Sequence, residues 1–427
     1  RYMRDINCKP NQNEVFIWNI MGSLFNSLLS VITLMVVTRM LQSDEADIFS
    51  IGWSISQIMA TIGTYQIRMY QATDVTEKFK FGQYLIFRIF TLIVMIVCSV
   101  GYLLSKHYDI YKTIVIFIIC LIRLVESLAD VYEGYFQQKE RLDLVGKAIT
   151  YRIFLAIILF SASLMILRNL LISCLILLIS YICSFIVFNV RYSLKVKAFD
   201  IKEKWTKNER WVWSLVKEGF PIFVNSFLMT AIINIPKIRI DYVIEQGRME
   251  SGMQTVFNIL FMPASVLTLI YIVFRPLLTK MAIEWNAGRK KGFLKIVSMI
   301  FICLLGISII VLGGSAWLGI PILSILYGLD LSKYRMELLI MITGGCLCTF
   351  SYVFDNALIV IRRQYLLLFS YVLSWLYIEI VIGKMVDKWG VLGAAFAYST
   401  SMMVFLIVTF LIFIICLRKD GKELKEQ

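Results

Sequence analysis

The sequence predicts an all-α polytopic membrane protein of about twelve transmembrane helices, divided six and six. Three observations carry that prediction. The 427 residues are 59% hydrophobic and only 17% charged, with a mean hydropathy of +0.77. Soluble domains run about 45–50% apolar with about 25% charged residues. Twelve stretches reach the roughly 20 mostly apolar residues that a spanning helix needs. They lie near 15–37, 48–69, 84–105, 111–135, 146–167, 170–190, 216–236, 253–274, 293–316, 336–360, 366–384 and 391–417. Third, a polar, basic linker at 191–215 separates the first six from the last six.

The implied organisation is a cytoplasmic tail (1–14), helices one to six (15–190), an amphipathic linker on the inner surface (191–215), helices seven to twelve (216–417) and a second cytoplasmic tail (418–427). The formal charge of +14 suggests nucleic acid as a partner, but its distribution argues otherwise. With the N-terminus inside, 29 of the 43 Lys and Arg fall on inner segments and 11 on outer ones, and Arg88, Arg123 and Arg152 lie within spans. That asymmetry expresses the positive-inside rule, with both termini cytoplasmic and anionic headgroups as the partner of the basic surface. The nine cysteines show no zinc spacing, and only Cys8 lies outside an apolar stretch. The first span is too long for a signal peptide. The chain opens at Arg1 rather than Met, so a few residues are expected to precede it.

Span one carries Asn26 and Ser27 at its middle and ends at Thr38-Arg39, and an acidic turn, Ser43 to Asp47, suits the start of the next helix. Span two is unusually polar, with Gln57, Thr61, Thr64, Gln66 and Arg68. Such residues serve as contacts between helices or as a hydrated wall. Span four is the most charged. Arg123, Glu126, Asp130 and Glu133 recur at spacings of three, four and three, which places them on one helical face. A mid-bilayer charge costs roughly 2.5–3.5 kcal/mol unless it faces a partner or water. Internal pairing of Arg123 with Glu126 is the structural reading of that face, and Glu133 is expected at the headgroups. In the linker, Trp205, Trp211 and Trp213 mix with basic residues, and Thr206-x-x-Glu209 reads as a capping box.

The two halves echo each other: Asn26-Ser27-Leu28-Leu29 is answered by Asn225-Ser226-Phe227-Leu228, each followed by basic residues twelve to fourteen positions on. Span seven, Gly219 to Tyr242, adds Asn234 and then Pro236, which is expected to bend or break the helix ahead of Lys237, Arg239 and Asp241. Polar and charged residues there suit a helix lining a cavity. Further on, Asp355 and Glu379 lie within spans ten and eleven, and Asp355 reads either as an ion site or as a salt-bridge partner of Arg362 or Arg363. The single histidine, His107, falls in an outer loop, which excludes a histidine proton relay in the membrane.

Taken together, Trp18-Asn19 through Arg39, Arg68-Met69-Tyr70-Gln71-Ala72-Thr73-Asp74, Asn234-Ile235-Pro236-Lys237-Ile238-Arg239-Ile240-Asp241, Phe257 to Val266 and Phe274 to Lys280 resemble the polysaccharide transport family of the multidrug/oligosaccharidyl-lipid/polysaccharide exporter superfamily. The turn after Arg39, Leu41 to Asp47, departs from the glycine-containing turn of that family. The resemblance implies two six-helix lobes forming a V around a central cavity lined by spans one, two, seven and eight. It further implies alternating access that carries an undecaprenyl-diphosphate-linked oligosaccharide, a precursor of capsule, O-antigen or teichoic acid, from the inner to the outer leaflet of a bacterial cytoplasmic membrane.

The residues point the same way. A diphosphate needs cationic, hydrogen-bonding company in hydrocarbon, and arginine matches phosphate geometrically. The candidate cavity cations are Lys237, Arg123, Arg239, Arg39 and Arg68, with headgroup snorkelling as the alternative for the last three. Asn26, Gln57, Gln66, Asn225 and Asn234 are candidates for sugar hydroxyls. Asp130, Asp355, Glu379 and Asp241 are candidates for proton or sodium coupling; no other cofactor and no metal site is expected, and the protein is expected to act as a monomer. A cation-coupled drug antiporter of the same superfamily is the first rival, although the cavity ends here are basic. A membrane polymerase or ligase is the second; every outer loop is short and carries no catalytic pair.

Overall fold

A computed structural model describes residues 11–74, 78–195, 210–270 and 274–423. Every regular element among them is a helix. In order these are α1 (Gln12–Met40), α2 (Ser43–Thr64), α3 (Ile67–Thr73), α4 (Phe81–Lys106), α5 (Ile110–Gln138), α6 (Leu142–Leu167), α7 (Leu170–Ser184) and α8 (Arg191–Lys195). There follow α9 (Arg210–Glu245), α10 (Met253–Ile270), α11 (Arg275–Asn286), α12 (Lys290–Gly314), α13 (Ile320–Tyr327), α14 (Arg335–Val360) and α15 (Leu367–Glu423).

Local chemistry sets many of the ends. Asn11, Asp109 and Asn169 cap α1, α5 and α7, their side-chain oxygens accepting from the amides of Asn13, Tyr111 and Ile172. Asp44 and Glu45 occupy the first turn of α2, as the sequence predicts. The described residues of all twelve expected stretches are helical, apart from a break at Tyr65 and Gln66. Among the described residues, eight helical stretches are long and apolar enough to cross a membrane. The helices at expected spans two, four and eight are not among them, because α2 carries many hydroxyl and amide groups, α5 many charges, and the apolar part of α10, Met253–Leu267, is shorter. The last of the eight, Gln364–Arg418, contains expected spans eleven and twelve, parted at Gly390 (φ 57°, ψ −129°). That conformation is open to glycine alone.

At span seven Pro236 does not break the helix: α9 runs without interruption from Arg210 through Pro221 and Pro236 to Glu245. A proline removes one donor, and the neighbouring turns of a membrane helix keep the rest of their bonds. Lys237, Arg239 and Asp241 therefore sit on continuous helix rather than behind a break. The capping box at Thr206 lies outside the described residues. Trp211 and Trp213 belong to the first turn of α9.

The chain divides into two compact units, one ending at Phe227 and the other beginning at Leu228, so the division falls within α9 rather than in the basic linker. In the first unit α1 packs on α6, α2 on α4 and α5, and α6 on α7. The start of α9 is held there by Tyr65, whose ring stacks on Phe223 at 4.6 Å and whose hydroxyl donates to the carbonyl of Val216. In the second unit α14 packs on α15 and α10, and α11 on α12. The α1–α6 crossing depends on glycine. A Cβ on Gly146 would lie 2.3 Å from the backbone oxygen of Trp18, and one on Gly22 would lie 3.3 Å from Gly146. We expect Gly146→Ala to lower unfolding stability by about 1–3 kcal/mol through forced separation of α1 from α6, measurable as a fall in Tm in detergent.

Candidate functional site

The first unit encloses a cavity of about 310 Å³ walled by α1, α2, α5 and α6. Its lining comes from the N-terminal half of α1, the C-terminal halves of α2 and α5 and the N-terminal half of α6, with Gln66 and Arg68 closing it beyond the end of α2. It therefore lies toward the end of the unit at which α1 begins. Asn26, Gln57 and Gln66 all line it, beside Thr61 and Thr64.

Charge dominates the wall. The face of α5 read from the sequence, Arg123, Glu126, Asp130 and Glu133, lines the cavity as a group. Arg123 pairs with Glu126 one turn along, as its spacing predicts, and its guanidinium lies 4.3 Å from the centre of the Trp53 ring. Arg68, at the start of α3, donates to Asp130 at 3.0 Å and to Glu133 at 3.1 Å. Arg152, from α6, donates to the other oxygen of Glu133 at 2.9 Å. Arg88, from α4, is fully buried and donates to Asp130 at 2.8 Å and to the carbonyl of Gly63 at 2.6 Å.

Four guanidinium groups thus meet three carboxylates, each carboxylate within hydrogen-bonding distance of at least one guanidinium. Glu133 is 2% exposed and is held by two arginines. Arg68, one of the candidate cavity cations, lines the cavity and turns toward α5. Arg88 and Arg152 were absent from the candidates. The signal that finds them is the rule that an arginine within an apolar span carries a function or a partner.

Backbone geometry aims Arg68. α2 ends at two successive left-handed residues, Tyr65 (φ 45°) and Gln66 (φ 52°), before α3 begins. The carbonyl of Gly63, next to that break, accepts from Arg88 and from the hydroxyl of Thr91 at 2.7 Å. On the far side Gln71 donates to the carbonyl of Val131 at 3.1 Å, and α3 approaches α5 at Gly134, where a Cβ would meet the Gln71 side chain.

The remaining candidates lie outside this cavity. Arg39 is exposed on the last turn of α1. Asn225 is half-buried, its Oδ1 without a partner among the described residues. In the second unit Asn234 is buried and donates back to the carbonyl of Thr230, a bond within its own helix. Lys237 is 6% exposed, its ammonium 4.6 Å from the centre of the Phe261 ring, and no carboxylate pairs with it among the described residues. Arg239 is engaged with Asp387 at 2.8 Å, and Asp241 is buried. Asp355 is buried and accepts from the Tyr371 hydroxyl at 2.9 Å, so the alternative salt bridge to Arg362 or Arg363 does not form. Its other oxygen has no partner among the described residues. Glu379 is exposed. No cluster of three or more metal-ligating side chains occurs among the described residues.

This helical fold is shared with solved transporters. The chain superposes on an inward-facing multidrug resistance MATE transporter of the MOP superfamily with a TM-score of 0.68, at 12% identity, covering 95% of this chain and 99% of that one. It matches the lipid II flippase MurJ, in an inward closed conformation, with a TM-score of 0.69 at 14% identity, covering 93% and 86% of the two chains. Residues 14–282 match the model of the family described as polysaccharide biosynthesis protein, and the chain belongs to that family. It is also 25% identical over 403 residues, 93% of this chain and 97% of its counterpart, to the capsular polysaccharide biosynthesis protein CapF of Staphylococcus aureus. This multi-pass membrane protein therefore has the family and the fold that its sequence motifs suggest.

The buried pair offers a direct test of the charge network. Glu133→Gln, which leaves Arg152 buried without its carboxylate, is expected to lower unfolding stability by about 3 kcal/mol. Adding Arg152→Met recovers part of that loss, measured by denaturant titration of both variants in the same detergent.

Proposed function

We propose that this protein is a flippase that moves an undecaprenyl-diphosphate-linked oligosaccharide from the inner to the outer leaflet of a bacterial cytoplasmic membrane by alternating access. The observation that carries the reading is the arginine-rich cavity of the first unit. Three arginines and three carboxylates line the cavity, and Arg88 behind the wall leaves the network one guanidinium in excess, which favours an anion; guanidinium meets phosphate oxygens two at a time. Membership of a polysaccharide biosynthesis family and the similarity to CapF support a cell-surface polysaccharide precursor as the cargo. The fold shared with MurJ, a lipid II flippase, supports a lipid-linked one.

The asymmetry of basic residues supports a topology with both termini cytoplasmic. In that topology the end of the unit at which α1 begins faces the cytoplasm, so the cavity lies toward the leaflet where such precursors are loaded. The diphosphate sits among Arg68, Arg123 and Arg152, and the amides of Asn26, Gln57 and Gln66 meet the sugar hydroxyls. Asp355, buried with one unbonded oxygen, is the acid we assign to proton or sodium coupling. The rival drug-antiporter reading requires spare negative charge for a cationic drug, whereas every carboxylate of this cavity is engaged by an arginine.

The test uses liposomes holding the purified protein and a fluorescent undecaprenyl-diphosphate sugar, with access of an external reagent to the headgroup as the readout. Wild type is expected to expose inner-leaflet headgroups, and Arg123→Ala to slow the transfer about tenfold or more, the loss of one charge-assisted contact. Wild-type transfer no faster than in empty liposomes, together with proton-coupled efflux of a cationic dye, would replace this reading by the antiporter.

A further inference from the structure

Asp130 is shared between two arginines in unlike settings. The Arg88 side chain is 0% exposed and has nowhere to go: it also holds the Gly63 carbonyl at 2.6 Å. The Arg68 side chain is 26% exposed, lines the cavity and has a second carboxylate in Glu133. Each takes a different oxygen of Asp130, Arg68 the Oδ1 at 3.0 Å and Arg88 the Oδ2 at 2.8 Å. One bond can open into the cavity while the other stays closed.

We propose that Asp130 is an internal counter-ion that a substrate phosphate displaces from Arg68, and that Arg88 is the positioning residue that keeps Asp130 charged and in place during the exchange. The inference rests on the flippase reading and adds a competition within its site. In the empty cavity Arg68 is neutralised by α5. On loading, Arg68 turns from Asp130 to a phosphate oxygen, and Asp130 remains paired with Arg88 instead of being left as a lone buried anion, which would be strongly unfavourable. On release Asp130 recaptures Arg68, so the unit never holds an uncompensated guanidinium. No bond beyond hydrogen bonds is made or broken. The short α3 carries Arg68 on one side of the Tyr65–Gln66 break, whereas Arg88 grips the other side at Gly63.

The scheme makes two substitutions at one pair act in opposite directions. Arg88→Gln leaves Asp130 with Arg68 alone, tightens their pairing and weakens the binding of an added phosphate group. Arg88→Gln/Asp130→Asn keeps a polar pair of similar shape, removes the competitor and leaves no buried charge unpaired, so binding strengthens. A merely structural role for these residues would shift both variants the same way.

Binding of inorganic pyrophosphate to the full chain in nanodiscs, read by calorimetry, measures this directly. We expect Arg88→Gln to weaken binding and the double variant to tighten it, each by about tenfold relative to wild type. If Arg88→Gln does not fold, the double variant alone decides. Tighter binding in the double variant supports the exchange, and unchanged or weaker binding overturns it. Wild type that binds no pyrophosphate and transfers no lipid-linked sugar overturns the flippase reading and the exchange together. Wild type that transfers but binds no pyrophosphate overturns the exchange alone.

Discussion

The constraint on which the first unit depends is the desolvation of arginine. Four guanidinium groups sit on helices whose surroundings are otherwise apolar, and a charge in such a place is tolerated only beside a partner or water. The three carboxylates of α5 are that partner set. Arg68 reaches them from α3, Arg88 from α4 and Arg152 from α6, while Arg123 pairs within α5 itself. Each ion pair between helices fixes the position of one neighbour against α5, so the network that lines the cavity is also what locates its walls. Dispersion and small-residue packing alone would leave these helices free to slide and rotate, because lipid tails are as apolar as leucine. A residue of the network consequently has two duties, and its removal has two effects.

Backbone strain enters for the same reason. Two successive non-glycine residues in the left-handed region are uncommon and each costs about 1 kcal/mol or more. The first unit accepts this at Tyr65 and Gln66 because the break re-aims the chain. Continued straight, α2 would carry residue 68 along its own axis; broken, it hands Arg68 to Asp130 and Glu133. The carbonyl of Gly63 is not orphaned, since Arg88 and Thr91 both donate to it. The guanidinium of Arg88 therefore joins the kink to the charge network, and the geometry of the break and the electrostatics of the cavity are one arrangement.

Much of this was legible in the sequence. Apolar length located the helices, and the three-four-three spacing on span four placed Arg123, Glu126, Asp130 and Glu133 on one face, where they are found. Polar residues on span two marked a wall of the cavity, and Gln57 and Gln66 lie on it. What was not legible is what spacing along one helix cannot carry. Nothing along α5 announces that Glu133 is paired with Arg152, nineteen positions away on another helix. Nothing local announces that Tyr65 and Gln66 turn the chain and bring Arg68 to α5; neither is a glycine. Pro236 was read as bending or breaking its membrane helix, and it does not break α9. The Asn26 and Asn225 echo found two residues of similar sequence and different settings, since Asn26 lines the cavity and Asn225 does not.

The second unit handles buried charge differently. Lys237 has an aromatic face in place of a carboxylate: the quadrupole of the Phe261 ring attracts an ammonium without neutralising it. Asp355 has a phenol in place of a cation, so it keeps one hydrogen bond and one open oxygen. A guanidinium–carboxylate pair stores its attraction internally and gives it up only to a competing ion. An ammonium over a ring, or a carboxylate beside a tyrosine, retains most of its demand for an opposite charge or a proton. The first unit thus pairs its buried charges within itself, whereas the second holds two groups whose charge is still open to compensation.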